Sequence, residues 1–246
     1  MPDWLLPVLV APFIGSFLGV LIRRLPGGEP VGMARSRCES CGHALTGRDL
    51  VPFGSYLLTR GACRHCGAKI GGFHLAVELA ALAVALWAAS IDSGFRLWAD
   101  CVFGWTLLAL AWIDARHMVL PDLLTLPLIL AGLGAAALME PERIVDHATG
   151  AAIGWLLFVA LARCYRALRG RDGLGEGDAK LLAASGAWVT WSGLGPVMLL
   201  AALIGLATAL VLRILGRRLG PATALPFGPP LAAATWLVWL YGPLGG

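Results

Sequence analysis

The sequence predicts an all-α integral membrane protein of about eight transmembrane helices, with a small cytoplasmic zinc-binding module between the first two. Three observations carry this. Of 246 residues, 58% are hydrophobic and only 14% charged, against the roughly one quarter usual in soluble domains, and the mean hydropathy is +0.77. Apolar runs recur along the chain at lengths near the ~20 residues a helix needs to cross about 30 Å of hydrocarbon. The one long polar stretch carries two Cys-x-x-Cys pairs.

The runs are residues 4–22, 74–91, 97–113, 119–139, 147–165, 179–191, 197–215 and 222–242. Long unbroken runs point to helices, since barrel strands are short and alternating. Residues 179–191 are short for a span, which predicts a helix tilted or enclosed by protein. The first run lacks a basic leader, carries Asp3 before it, and has Arg23 and Arg24 after it. It therefore reads as a transmembrane helix with its N-terminus outside, not as a cleaved signal. The inside segments are then 23–73, 114–118, 166–180 and 213–221. With Arg163 at the inner end of the fifth run, they hold 17 of the 19 Lys and Arg, leaving Arg96 and Arg143 outside. That bias is the positive-inside pattern. The expected organisation is a first helix (1–22), a cytoplasmic module (23–73) and a polytopic membrane domain (74–246). The expected surroundings are a lipid bilayer, with no nucleic acid.

Within 23–73, "CESC" (Cys38, Cys41) and "CRHC" (Cys63, Cys66) are separated by 21 residues and each is followed by glycine. Two such knuckles can close a tetrahedral four-thiolate zinc site. An inside location disfavours disulfides, and a segment of this size with little core needs a staple. His43 and His65 beside the knuckles are expected to be bystanders, because four thiolates already complete the tetrahedron.

Two carboxylates fall at the inner membrane edge. Asp114 closes the third run in "IDARHMVLPD", and Asp178 opens the sixth in "GLGEGDAKLL". An ionisable residue at such a boundary is a functional candidate. Two aspartates brought together suit aspartyl hydrolysis, where one carboxyl holds a proton and the other takes one from water. Asp178 sits at a helix N-terminus and Asp114 at a helix C-terminus, so the helix dipoles place the shared proton more often on Asp114. Asp122 reads mainly as a helix cap. Gly175 and Gly177 permit close backbone approach. Lys180 either sets the local potential or reaches for headgroups. A proton-coupled transporter with a zinc-stabilised cytoplasmic domain is the alternative for intramembrane acids.

"GEGDAK" is similar to the GxGDxK motif of the GxGD intramembrane aspartyl proteases. The whole chain resembles the type IV prepilin peptidases, bifunctional leader peptidase/N-methyltransferases. "GSFLGVLIRRLP" (15–26) is similar to the family's GSFLNVVIYRLP, and "VPFGSYLLTRG" (51–61) to its IPVLSWLLLRG. "SRCESC" and "GACRHCGAKI" match its paired cysteine segment, "IDARHMVLPD" its first aspartate region, and "LPFGPPLAAA" (225–234) its IPFGPFLA segment. The chain departs from the pattern at Gly19 for asparagine, Arg23 for tyrosine and Glu39 for the proline of the first Cys-x-x-Cys. It departs again at Phe73-His74-Leu75 for RYP, while Glu78 is kept. The resemblance implies a catalytic pair of Asp114 and Asp178, supported by Gly175, Gly177 and Lys180. It implies removal of the basic leader from prepilins or type II secretion pseudopilins at the cytoplasmic face of a bacterial inner membrane. It also implies methylation of the new N-terminus from S-adenosylmethionine, whose binding residues the sequence leaves unknown; no glycine-rich nucleotide fingerprint is present.

Overall fold

The computed structural model describes residues 2–31, 36–170, 175–217 and 225–242. Arg35, Arg171 and Arg218 of the basic inner side, and the start of the last apolar run (222–224), lie outside the described residues. The described residues form helices and no strands, apart from two isolated bridges, Arg37 with Ala44 and Ala62 with Lys69. The chain divides into two compact units, Met1–Ala109 and Leu110–Gly246.

In the first unit, α1 (Leu5–Arg24) packs on α3 (Phe73–Ala89). Ala11, Gly15 and Gly19 recur at four-residue spacing along α1 and are buried. A Cβ on Gly15 would lie 2.6 Å from the Glu78 backbone. This is the small-residue seam that lets membrane helices approach where apolar burial supplies no drive. The start of α4 (Gly94–His117) joins α3 through Trp105, whose indole N–H donates to the Ala81 carbonyl at 2.9 Å. Between α1 and α3 lie the two cysteine knuckles, the 3-10 turns Leu25–Gly27 and Gly47–Asp49, and the short helix α2 (Gly54–Leu58).

The second unit holds the last turns of α4 with α5 (Asp122–Met139), α6 (Ile144–Arg169), α7 (Glu176–Ile214) and α8 (Gly228–Tyr241). The sixth and seventh apolar runs are two helices that meet at Thr190, labelled together as α7. It is broken at Thr190, whose φ of 64° is not helical. The first half of α7 is enclosed, with Leu181 through Trp188 all buried, as its short length predicts. Three partners enclose it. A Cβ on Gly150 of α6 would lie 2.4 Å from the Gly186 carbonyl oxygen, so these two helices touch backbone to backbone. Trp188 donates its indole N–H to the Leu128 carbonyl of α5 at 2.9 Å. Ser185 and Thr235 of α8 share a hydroxyl hydrogen bond of 2.7 Å.

Five helices, α1 and α4 to α7, are long and apolar enough to cross a membrane, and α3 is a shorter apolar helix. The 14-residue α8 rises about 21 Å. Phe13, Phe17, Leu86, Leu130, Leu156 and Leu206 face outward, which suits hydrocarbon as the solvent. This is a multi-pass membrane protein.

Candidate active site and metal centre

Asp114 lies near the C-terminal end of α4 and is 6% exposed. Its Oδ2 accepts the backbone N–H of Gly228 at 2.8 Å. Gly228 is the first residue of α8, and the next two, Pro229 and Pro230, have no N–H to offer. The Gly228 N–H is therefore the one free donor of that first turn, and it points at Asp114. There is no room for a side chain: a Cβ on Gly228 would lie 2.6 Å from Asp114 Oδ2. Sequence reasoning matched this segment by its letters but missed its role. The available signal is a glycine followed by two prolines at a helix start.

Asp178 sits in the first turn of α7. Its Oδ2 accepts the N–H of Gly175, the N-cap residue, at 3.2 Å, and its own N–H returns to the Gly175 carbonyl at 3.2 Å. The structure brings Asp114 and Asp178 together, close enough for their charges to interact. Each is held through one oxygen by a glycine N–H. Both also lie at helix N-termini, Asp178 at that of α7 and Asp114 at that of α8. The difference in helix ends expected from sequence is thus evened out by α8, whose approach to Asp114 is a long-range contact.

The supporting residues divide. Gly177 makes room for the α4–α5 turn, since a Cβ there would lie 2.8 Å from Leu120 Cβ. Glu176 is exposed. Lys180 pairs with Asp122 at the start of α5, Nζ to Oδ1 2.5 Å. Asp122 is thus a partner as well as a first-turn acid of α5.

The four cysteines of the first unit converge. Cys38, Cys41, Cys63 and Cys66 place their sulfurs within 4.8 Å of one another, with Cys38 and Cys66 at 3.9 Å. Tetrahedral zinc with 2.3 Å bonds puts thiolates about 3.8 Å apart, so the donor set fits that ion. The knuckles are built alike. Cys38 N–H donates to the His43 carbonyl and Cys63 N–H to the Ala68 carbonyl, while Gly42 and Gly67 donate back to Cys38 and Cys63. Both glycines are left-handed, at φ 68° and 71°, which is why glycine follows each pair. Backbone N–H groups of Cys41 and Ser40 bring the Cys38 thiol down to about 6, a thiolate at neutral pH. The Ala68 N–H pulls Cys66 the same way, but burial and the neighbouring thiols push it up to about 11. His43 and His65 stack on each other, ring centres 4.2 Å apart.

A cavity of about 1100 Å³ in this unit is lined by Ser16, Arg23, Tyr56, Arg64, His74 and Glu78, among others. Glu78 is buried and accepts the Phe53 N–H at 3.0 Å. The departures from the motif pattern meet at its wall. A Cβ on Gly19 would lie 2.6 Å from His74 Nδ1, so the imidazole occupies the space of the missing side chain. The Arg23 guanidinium lies over the Phe73 ring, 4.8 Å from its centre, and pairs with Glu39. Where the pattern has tyrosine at 23 and arginine at 73, this chain has the cation at 23 and the ring at 73, in cation–π contact.

The chain is similar to known proteins over most of its length. Residues 9–91 match the bacterial peptidase A24 N-terminal domain and residues 101–210 the type IV leader peptidase family. The chain is 38% identical over 268 residues to the prepilin leader peptidase/N-methyltransferase of Aeromonas hydrophila, covering 97% of this chain and 92% of that protein. It is 40% identical over 266 residues to the protein of that name from Dichelobacter nodosus, covering 95% and 90%. With the one from Pseudomonas aeruginosa the identity is 34% over 267 residues, covering 96% and 89%. No solved structure matches the chain. With both domains present in order and relatives this similar over nearly its whole length, the chain belongs to the type IV leader peptidase family.

Proposed function

We propose that this protein is an aspartyl endopeptidase that removes the basic leader of type IV prepilins or pseudopilins and then methylates the new N-terminus. The observation that carries the first half is the pairing of Asp114 and Asp178, each tethered through Oδ2 by a glycine N–H, which leaves Oδ1 of each for chemistry. Two carboxylates within reach of each other's charge can share one proton. The ionised carboxylate takes a proton from water as the water oxygen attacks the scissile carbonyl carbon. The protonated carboxyl gives its proton to the carbonyl oxygen. Collapse of the tetrahedral adduct breaks the C–N bond, and the carboxyl that took the water's proton delivers it to the leaving nitrogen. Family membership favours this over proton-coupled transport.

The orientation belongs to the same reading. The Lys and Arg bias supports an N-terminus outside and the cysteine module in the cytoplasm. A substrate with a basic leader and a following apolar helix then presents its scissile bond at the inner membrane edge, level with the dyad. Zinc is the structural ion for the four cysteines. S-adenosylmethionine supplies an electrophilic methyl group when bound. The first-unit cavity fits it by residue type: Tyr56 for a purine face, Glu78 for hydroxyls or an ammonium, and the arginines for a carboxylate.

The test incubates purified enzyme in detergent with a prepilin and S-adenosylmethionine, then reads leader loss and the mass of the new N-terminus. Wild type is expected to cleave and methylate. Asp114→Asn or Asp178→Asn should lose at least about 100-fold in cleavage while staying folded. Retained cleavage in either removes that residue from the pair, and a cleaved but unmethylated wild-type product removes only the second activity.

A further inference from the structure

We propose that Asp122 and Lys180 form an ionic latch that fixes the spacing of the two catalytic carboxylates, making both positioning residues; this rests on the Asp114–Asp178 reading above. The carboxylates come from different helices, so their separation depends on what ties the end of α4 to the start of α7. Asp114 leads through the turn 118–121 into α5, whose first residue is Asp122. Asp122 binds Lys180 across 58 residues of sequence. Lys180 is two residues beyond Asp178 on α7. The ion pair therefore closes a short ring through both helices: Asp114, the turn, Asp122, Lys180, Asp178.

Four further observations fit a latch. Residues two apart on a helix do not share a face, so Lys180 reaches away from Asp178 and its ammonium is taken up by Asp122. The turn it secures is under constraint: Met118 holds a left-handed φ of 52° while its N–H stays bonded to the Asp114 carbonyl at 2.9 Å. Leu120 of the same turn seats over Gly177, with no room for a side chain there. Lys180 itself lies near the positive end of α7, where a cation is disfavoured, and Asp122 offsets that. The pair is partly exposed, at 30% for Lys180 and 56% for Asp122. Its contribution is accordingly to geometry at a membrane boundary and not to bulk stability.

Charge reversal tests this directly. Asp122→Lys and Lys180→Asp are each expected to lower the kcat of prepilin cleavage about tenfold or more, with KM changed less than about twofold. The double exchange, Asp122→Lys with Lys180→Asp, should recover kcat to within about threefold of wild type, and Lys180→Arg should keep it. Methylation of a pre-cleaved pilin in the same preparations reports that the protein is folded, and a purely structural loss would lower it in parallel. A double exchange no better than the worse single, or singles that cleave like wild type, overturns the latch. If Asp178→Asn also cleaves, the dyad reading fails; if Asp178→Asn is inactive and only the latch variants behave as wild type, the latch alone fails.

Discussion

Gly228 shows how much a single missing methyl group can decide. Its N–H ties α8 to a carboxylate, and any Cβ at that position meets the same oxygen. Gly228→Ala is expected to push Asp114 off its position and lower kcat about 100-fold, because displacements near 1 Å carry penalties of that order. The measurement is single-turnover cleavage, with bound zinc and methylation of pre-cleaved pilin as folding controls. At this scale the sequence was legible where a residue was out of place in its surroundings. Asp114 and Asp178 interrupt apolar runs, and the four cysteines repeat a ligand spacing. Gly228 was not legible in the same way, since glycine at a helix start is common and its partner lies 114 residues away. Lys180 was ambiguous for a related reason: its partner Asp122 already had a sufficient local explanation as a first-turn acid.

Among the elements, α7 shows best what hydropathy left out. Two apolar runs suggested two helices, and two are present, parted at Thr190. The Ala187 carbonyl beside the break has a partner in His147 of α6, whose Nδ1 lies 2.8 Å from it. The break is supported from α6, whose identity as the neighbour no local pattern announces. The two helices are held by the glycine crossing of Gly150 and Gly186. Gly150→Ala places a methyl group 2.4 Å from a carbonyl oxygen in a rigid interface. It should cost about 1–3 kcal/mol, read as a lower midpoint in thermal unfolding of the detergent-solubilised protein. Gly134→Ala in α5, with open space around it, is the matched control and should leave the midpoint in place. Helix positions followed directly from hydropathy, whereas the choice of neighbours depended on small residues that hydropathy scores as ordinary.

Across the whole molecule, the two aspartates and the cysteine cluster lie in separate compact units, residues 110–246 and 1–109. Purified protein should carry about one zinc per chain. Cys38→Ser with Cys63→Ser should abolish it, as measured by elemental analysis. Protons compete with the ion for thiolates, so acidification is expected to release the zinc. Loss of methylation with cleavage retained would assign the metal to the first unit's task alone. The division was visible in sequence as a polar island among apolar runs. The cavity beside that island was not, because it is framed by residues from α1, α2 and α3 that are each unexceptional alone.

The altered wall of that cavity has a consequence for exchanging parts between relatives. His74 fits because position 19 has no side chain, and Arg23 is supported by both Phe73 and Glu39. These five positions are spread over three segments of chain, yet they form one set of contacts. A first helix transplanted from a homologue bearing asparagine and tyrosine at 19 and 23 would arrive with an amide aimed into an imidazole and a ring facing a ring. The graft should succeed only when the start of α3 and the first knuckle travel with it.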